Sequence, residues 1–125
     1  MSARTRDLIE RHWAHANARD WAAFAALLDP ALRYEVPQTR EFILGGEGYL
    51  DMFRTWPGDW QASIQDLVCE PQAAVCRVDF AVGGELMTGI SFFRLSPQGL
   101  IAGVTDYWPE PYEPPPRASP HLQRR

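Results

Sequence analysis

The hydrophobic period of the chain changes once, near Trp60. Before it, apolar residues recur every three to four positions. Leu8, Ile9, His12, Trp13 and Ala16 fall on one stripe, so residues 3–19 read as an amphipathic helix. Asp20 is placed to cap a second helix, WAAFAALL, with Trp21, Phe24, Leu27 and Leu28 on one face. Asp29-Pro30 is the expected stop, because proline cannot continue the hydrogen-bond ladder. Leu32 to Val36 reads as a short strand that Pro37 closes. Gly45 and Gly46 open a third helix, EGYLDMFRTWP, with Tyr49, Leu50, Phe53 and Trp56 inward and Pro57-Gly58 as its end.

From Trp60 onward the period is two. WQASIQDLVCE, AVCRVDFAV, ELMTGISFFRL and LIAGVTDYW read as four strands. Turns at Pro71-Gln72, Gly83-Gly84 and Ser96-Pro97-Gln98-Gly99 give them hairpin spacing, so they form an antiparallel meander. Helices come first and the meander last, which is α+β rather than βαβ order. The segment from Pro109 holds six of the eleven prolines and can form neither helix nor central strand. The expected organisation is one domain over residues 1–110 and a proline-rich tail over 111–125. That tail is either loose or laid over the body as a strap anchored by Tyr112.

Composition narrows the class. At 46% hydrophobic and 12% aromatic, the chain can bury a core without metal or disulfides. A net charge of -4 argues against a nucleic-acid partner, which needs a basic field. No apolar run reaches the length of a membrane span. The stretch MSARTRDLIERHWAHA has no apolar signal-peptide region, so a cytoplasmic protein is expected. Cys69 and Cys76 flank EPQAAV and are close enough to meet across a hairpin; in that compartment they are expected to be reduced.

The candidate chemistry centres on one carboxylate. Alternation puts Val104, Asp106 and Trp108 on one face of the last strand, with Thr105 and Tyr107 on the other. A carboxylate between apolar neighbours is desolvated, which raises its pKa and suits it to proton transfer beside a carbonyl. The alternative is a strand-end aspartate that caps an amide or pairs with an arginine. Tyr34 shares a face with Leu32 and Val36; it is either a hydrogen-bond donor to a ligand carbonyl or a core residue. Glu35 and Arg40 are expected to form a surface ion pair of little worth. His12 and His15 lie three apart on the first helix with no third ligand, so they are read as solvated and no metal is expected. GGEG lacks the Lys-Ser/Thr of a phosphate loop, and no serine sits on an elbow that would build a Ser-His-Asp triad.

Three stretches, DWAAFAALLDPALRYEVP, GGEGYLDMF and GVTDYW, in this element order, resemble the nuclear-transport-factor-2-like fold. Within it the chain is similar to the SnoaL-like group of polyketide cyclases and ketosteroid-isomerase relatives, over residues 5–108. The resemblance implies a cone: three N-terminal-half helices packed in a strongly curved antiparallel sheet, with an apolar pocket at the mouth. Trp13, Phe53, Trp56, Phe92 and Trp108 are expected to line that mouth and to bind a small apolar or polycyclic ligand. By the same resemblance Asp106 is the general acid/base and Tyr34 a polarising donor, no organic cofactor is needed, and a homodimer is expected. Arg77 and Asp79 share a strand face, and with Asp106 they resemble the Asp-Arg-Asp set of limonene-epoxide-hydrolase-like proteins. That set also expects an asparagine on the first strand, whereas the only asparagine here is Asn17 on the first helix. Arg77 and Asp79 are equally the ordinary solvated face of a half-buried strand, with Cys76, Val78 and Phe80 inward. The expectations are thus an isomerase or cyclase, a non-catalytic small-molecule binder, or an epoxide hydrolase.

Overall fold

A computed structural model describes residues 2–125. Helix α1 spans Ala3–Ala18, and Arg19 ends it in the left-handed conformation. Asp20 caps α2, Trp21–Ala25, by accepting a hydrogen bond from the Ala23 amide at 3.2 Å. Here the sequence expectation fails in one respect. The second helix stops at Ala25 and strand β1 runs Leu28–Val36, so Leu28 and Pro30 belong to a strand. Leu27 and Leu28 are still buried. They reach the core through pairing of Leu28 with Ile101, and that tertiary contact outweighs the helix propensity of an Ala/Leu run.

A short strand that the sequence pattern missed, β2 (Glu41–Leu44), pairs antiparallel with β1. Helix α3 covers Gly46–Thr55. A side chain at Gly46 would put its Cβ 2.7 Å from the Asp29 carbonyl oxygen, so glycine is needed for this close approach. The meander follows as expected: β3 Gln61–Glu70, β4 Ala73–Val82, β5 Glu85–Leu95 and β6 Ile101–Tyr107.

The six strands form one sheet in the order β2-β1-β6-β5-β4-β3. The meander is antiparallel, but β1 lies parallel to β6, so the complete sheet is mixed. Register shifts between Leu28 and Arg33, Ile64 and Asp66, and Arg94 and Leu95 bend the strands. The helices fill the inner face: α1 packs on β3 and β4, and α3 on β1 and β2. The core is aromatic. Phe24 stacks on Tyr49, Trp60 stacks on Phe80, and the Arg19 guanidinium lies 3.9 Å from the Trp60 ring centre.

Cys69 registers with Ala74, and Cys76 with Leu67, so the two thiols are not directly opposed and both are free. The segment after Tyr107 has neither helix nor strand. Tyr112 is 77% exposed, so it does not anchor a strap. No helix among the described residues is long and apolar enough to cross a membrane.

Candidate active site

Register, not sequence proximity, assembles the site. Tyr34 pairs with Val104, and Ser91 pairs with Asp106. Partners across a ladder share a face, so Tyr34, Ser91 and Asp106 all point into the helix-covered side. Asp106 is only 4% exposed. Its Oδ2 accepts a hydrogen bond from the Tyr34 hydroxyl at 2.8 Å, and its Oδ1 accepts one from the Ser91 hydroxyl at 2.6 Å.

Two effects compete at this carboxyl. Burial disfavours the charged form, while the Ser91 and Tyr34 hydroxyls stabilise it. Burial wins and lifts the pKa from 3.8 to about 6. Tyr34 is held far on the neutral side by burial, by the Asp106 charge and hydrogen bond, and by the Glu41 charge; the Trp108 indole beside it acts in the opposite sense. Tyr34 is therefore a hydroxyl donor at neutral pH. Its single proton is engaged by Asp106 whenever Asp106 is ionised.

Two cavities meet here. A niche of about 30 Å³ is lined by Asp106 and Tyr34 together with Trp13, Phe53, Trp56 and Trp108; Met52 and Phe80 complete it. A larger cleft of about 570 Å³ runs along β2 past Phe42 and Ile43. Tyr34, Met52, Trp56 and Trp108 line both spaces.

Of the five aromatic residues expected at the mouth, Phe92 is not there. It is 37% exposed on the outer sheet face, edge-on to Tyr107 at 5.9 Å. Ser91 and Phe93 take the inward positions of β5, and strand alternation forces Phe92 outward. Arg77 and Asp79 are not brought to Asp106 either. Arg77 lies on the outer face and pairs with Asp66 at 2.6 Å, while Asp106 points to the other side of the sheet. The expected Glu35–Arg40 pair does not form among the described residues. Glu35 instead accepts a 3.4 Å hydrogen bond from Thr105.

His12 also departs from expectation. It is fully buried, not solvated, and its Nε2 lies 2.8 Å from the Tyr49 hydroxyl. Burial lowers its pKa to about 3, so the imidazole is neutral. Its place on the apolar stripe with Leu8, Ile9 and Trp13 was the signal for this. Ser91 gave a weaker signal, a lone hydroxyl at an inward position of a strand.

A family model described as SnoaL-like domain matches residues 9–104, a span that ends before Asp106. A protein proposed as a ketosteroid isomerase from Kribbella flavida DSM 17836 is 39% identical, with a TM-score of 0.92 over 98% of this chain and 90% of that one. An NTF-2 like protein of unknown function from Burkholderia xenovorans LB400 is 21% identical, with a TM-score of 0.80 over 97% and 94% of the two chains. An LEH-like epoxide hydrolase from M. tuberculosis is 18% identical, with a TM-score of 0.72 over 86% and 84%. The last two share the fold alone. No curated protein matches the sequence.

Proposed function

The chain belongs to the SnoaL-like domain family, and from that premise we propose that it is a cofactor-independent isomerase or cyclase acting on a small apolar carbonyl compound. The observation that carries this reading is the buried Asp106 carboxyl, held by Tyr34 and Ser91 at the end of an apolar niche. With a pKa of about 6, the carboxylate is in roughly tenfold excess over the acid at pH 7, which suits a general base.

Asp106 takes a proton from the carbon next to the carbonyl, and the electron pair moves onto the carbonyl oxygen. The protonated Asp106 can then donate to the Tyr34 oxygen. That frees the Tyr34 hydroxyl proton for the developing enolate oxygen, where a donor stabilises charge most. Return of the proton from Asp106 to another carbon completes an isomerisation. Attack of the enolate carbon on a second carbonyl, whose oxygen takes the proton held by Asp106, gives a cyclisation instead. The site needs no organic cofactor for either step.

A second reading, a binding protein without turnover, draws on the size of the niche. About 30 Å³ has room for a water but not for a reacting group while its lining stays in place. Epoxide hydrolysis is less favoured, because Arg77 is turned away from Asp106 and paired with Asp66. The free thiols fit a cytoplasmic setting. The outer-face apolar residues Val68, Phe92 and Tyr107 support a homodimer, which light scattering would test.

The test of function is solvent-deuterium incorporation beside the carbonyl, across a panel of enolisable aryl and alicyclic ketones. Asp106→Asn should lower the exchange rate by about 10²-fold or more while ligand affinity changes little. A wild-type protein that binds ketones but exchanges none of them would make it a binder. Equal exchange by wild type and Asp106→Asn would remove Asp106 from the chemistry.

A further inference from the structure

The niche beside Asp106 has room for about one water and the adjoining cleft for a whole small ligand. A ligand group larger than a water can reach the carboxyl only by displacing part of the niche lining, and the four lining residues shared with the cleft are Tyr34, Trp108, Met52 and Trp56. These four residues are not equally anchored.

Tyr34 is 5% exposed and is tied to Asp106. Trp108 is fixed from three sides. Its amide donates to Gln38 Oε1 at 2.7 Å, and its carbonyl accepts from Gln38 Nε2 at 3.1 Å. The Gln38 side chain thus acts as a strand partner for the residue just past the end of β6. The Trp108 indole lies against Gly89, where a Cβ would be 2.9 Å from Cζ3. It also meets the Phe80 ring edge-on at 5.5 Å.

Trp56 is held by less: its amide donates to the Phe53 carbonyl at 3.3 Å, and among the described residues no side chain hydrogen-bonds to it. It follows the last turn of α3 in an extended conformation and is 43% exposed. Among the described residues its ring has one aromatic neighbour, Phe80, edge-on at 6.3 Å. Pro57 comes next, then Gly58 at φ 89°. Met52, one turn earlier in α3, is half-buried against the core and has a flexible, unbranched side chain.

We propose that ligands reach Asp106 by displacing Met52 and Trp56, while Gln38 keeps Trp108 as the fixed wall. Met52 and Trp56 then decide the bulk of ligand admitted, and Gln38 is a positioning residue for Trp108. This inference rests on the reading that the niche receives a ligand, but not on Asp106 acting as a base.

The test uses prodan, a neutral naphthyl ketone whose emission reports its transfer from water to an apolar site. Its association and dissociation rates would be followed by stopped flow. Met52→Ala and Trp56→Ala should each raise the association rate by about tenfold, because binding that waits on a conformational change is slowed by it. Met52→Leu, which restores bulk, should return the rate to that of wild type. Gln38→Ala should leave association within about twofold and speed dissociation, since the wall behind the bound ligand is loosened. Unchanged association in both Met52→Ala and Trp56→Ala, a rise confined to Gln38→Ala, or no binding by any of the proteins would overturn the proposal. Repeating the series in Asp106→Asn separates the two claims. Rates that still respond to Met52 while deuterium exchange is absent from wild type would remove the base and leave the gate.

Discussion

Replacing Asp106 with asparagine should make the protein more stable at neutral pH, and the gain should vanish in acid. The native state holds the carboxyl at a pKa of about 6, above the ordinary 3.8. A folded pKa above the unfolded one means that the native state binds the proton more tightly. The associated stability is fully present below about pH 4 and is lost as pH rises through about 6. A gap of roughly two pH units, at 1.36 kcal/mol each, makes the neutral-pH penalty about 3 kcal/mol. Asparagine keeps the shape, never ionises, and can still hydrogen-bond Tyr34 and Ser91. Urea unfolding of both proteins, stepped from pH 4 to pH 7.5, isolates the effect as the difference between the two curves. That difference should move by about 2 to 3 kcal/mol in favour of asparagine across this range. The matching shift in melting temperature is roughly 10 °C for a domain of this size. A difference that stays flat with pH would mean that Asp106 titrates alike in the folded and unfolded chain, and the desolvation argument would fall.

Other changes probe the same constellation. Tyr34→Phe and Ser91→Ala each remove a hydrogen bond that stabilises the carboxylate, so each should raise the Asp106 pKa above about 6 in an NMR titration. An unchanged pKa in either variant would show that its hydrogen bond is not formed in solution. Gly89→Ala places a methyl group 2.9 Å from the Trp108 ring. It should lower stability by about 1–3 kcal/mol in urea unfolding and shift the Trp108 indole resonance. A neutral result would mean that the indole is not packed there.

Much of the site was legible in the chain, and what escaped has physical causes. Strand alternation alone placed Val104, Asp106 and Trp108 together, and Tyr34 with Leu32 and Val36; the structure keeps both sets inward. Alternation cannot say which face of a strand is inner when both are apolar. That is why Phe92 was expected in the pocket while Ser91 takes the buried, inward position of β5. Tyr34 and Asp106 stand 72 positions apart, and only the parallel β1–β6 pairing joins them. A period of two within each strand carries no information about that pairing. Local propensity favoured helix through Leu28, but pairing with Ile101 decided for strand. Strand β2 is short and mostly exposed, so it left no alternation to read. His12 was misjudged because polarity was weighed above position. The stripe it shares with Ile9 and Trp13 was the better guide; there the Tyr49 hydroxyl partners Nε2, while Nδ1 is buried without a partner among the described residues.

The account stands or falls on the protonation of one group. A carbon-detected NMR titration of the Asp106 carboxyl, assigned by the loss of its signal in Asp106→Asn, measures that directly. The account predicts a midpoint near pH 6. A midpoint near the ordinary 3.8 would make Asp106 a solvated or fully compensated carboxylate, and the proton-transfer function would be abandoned.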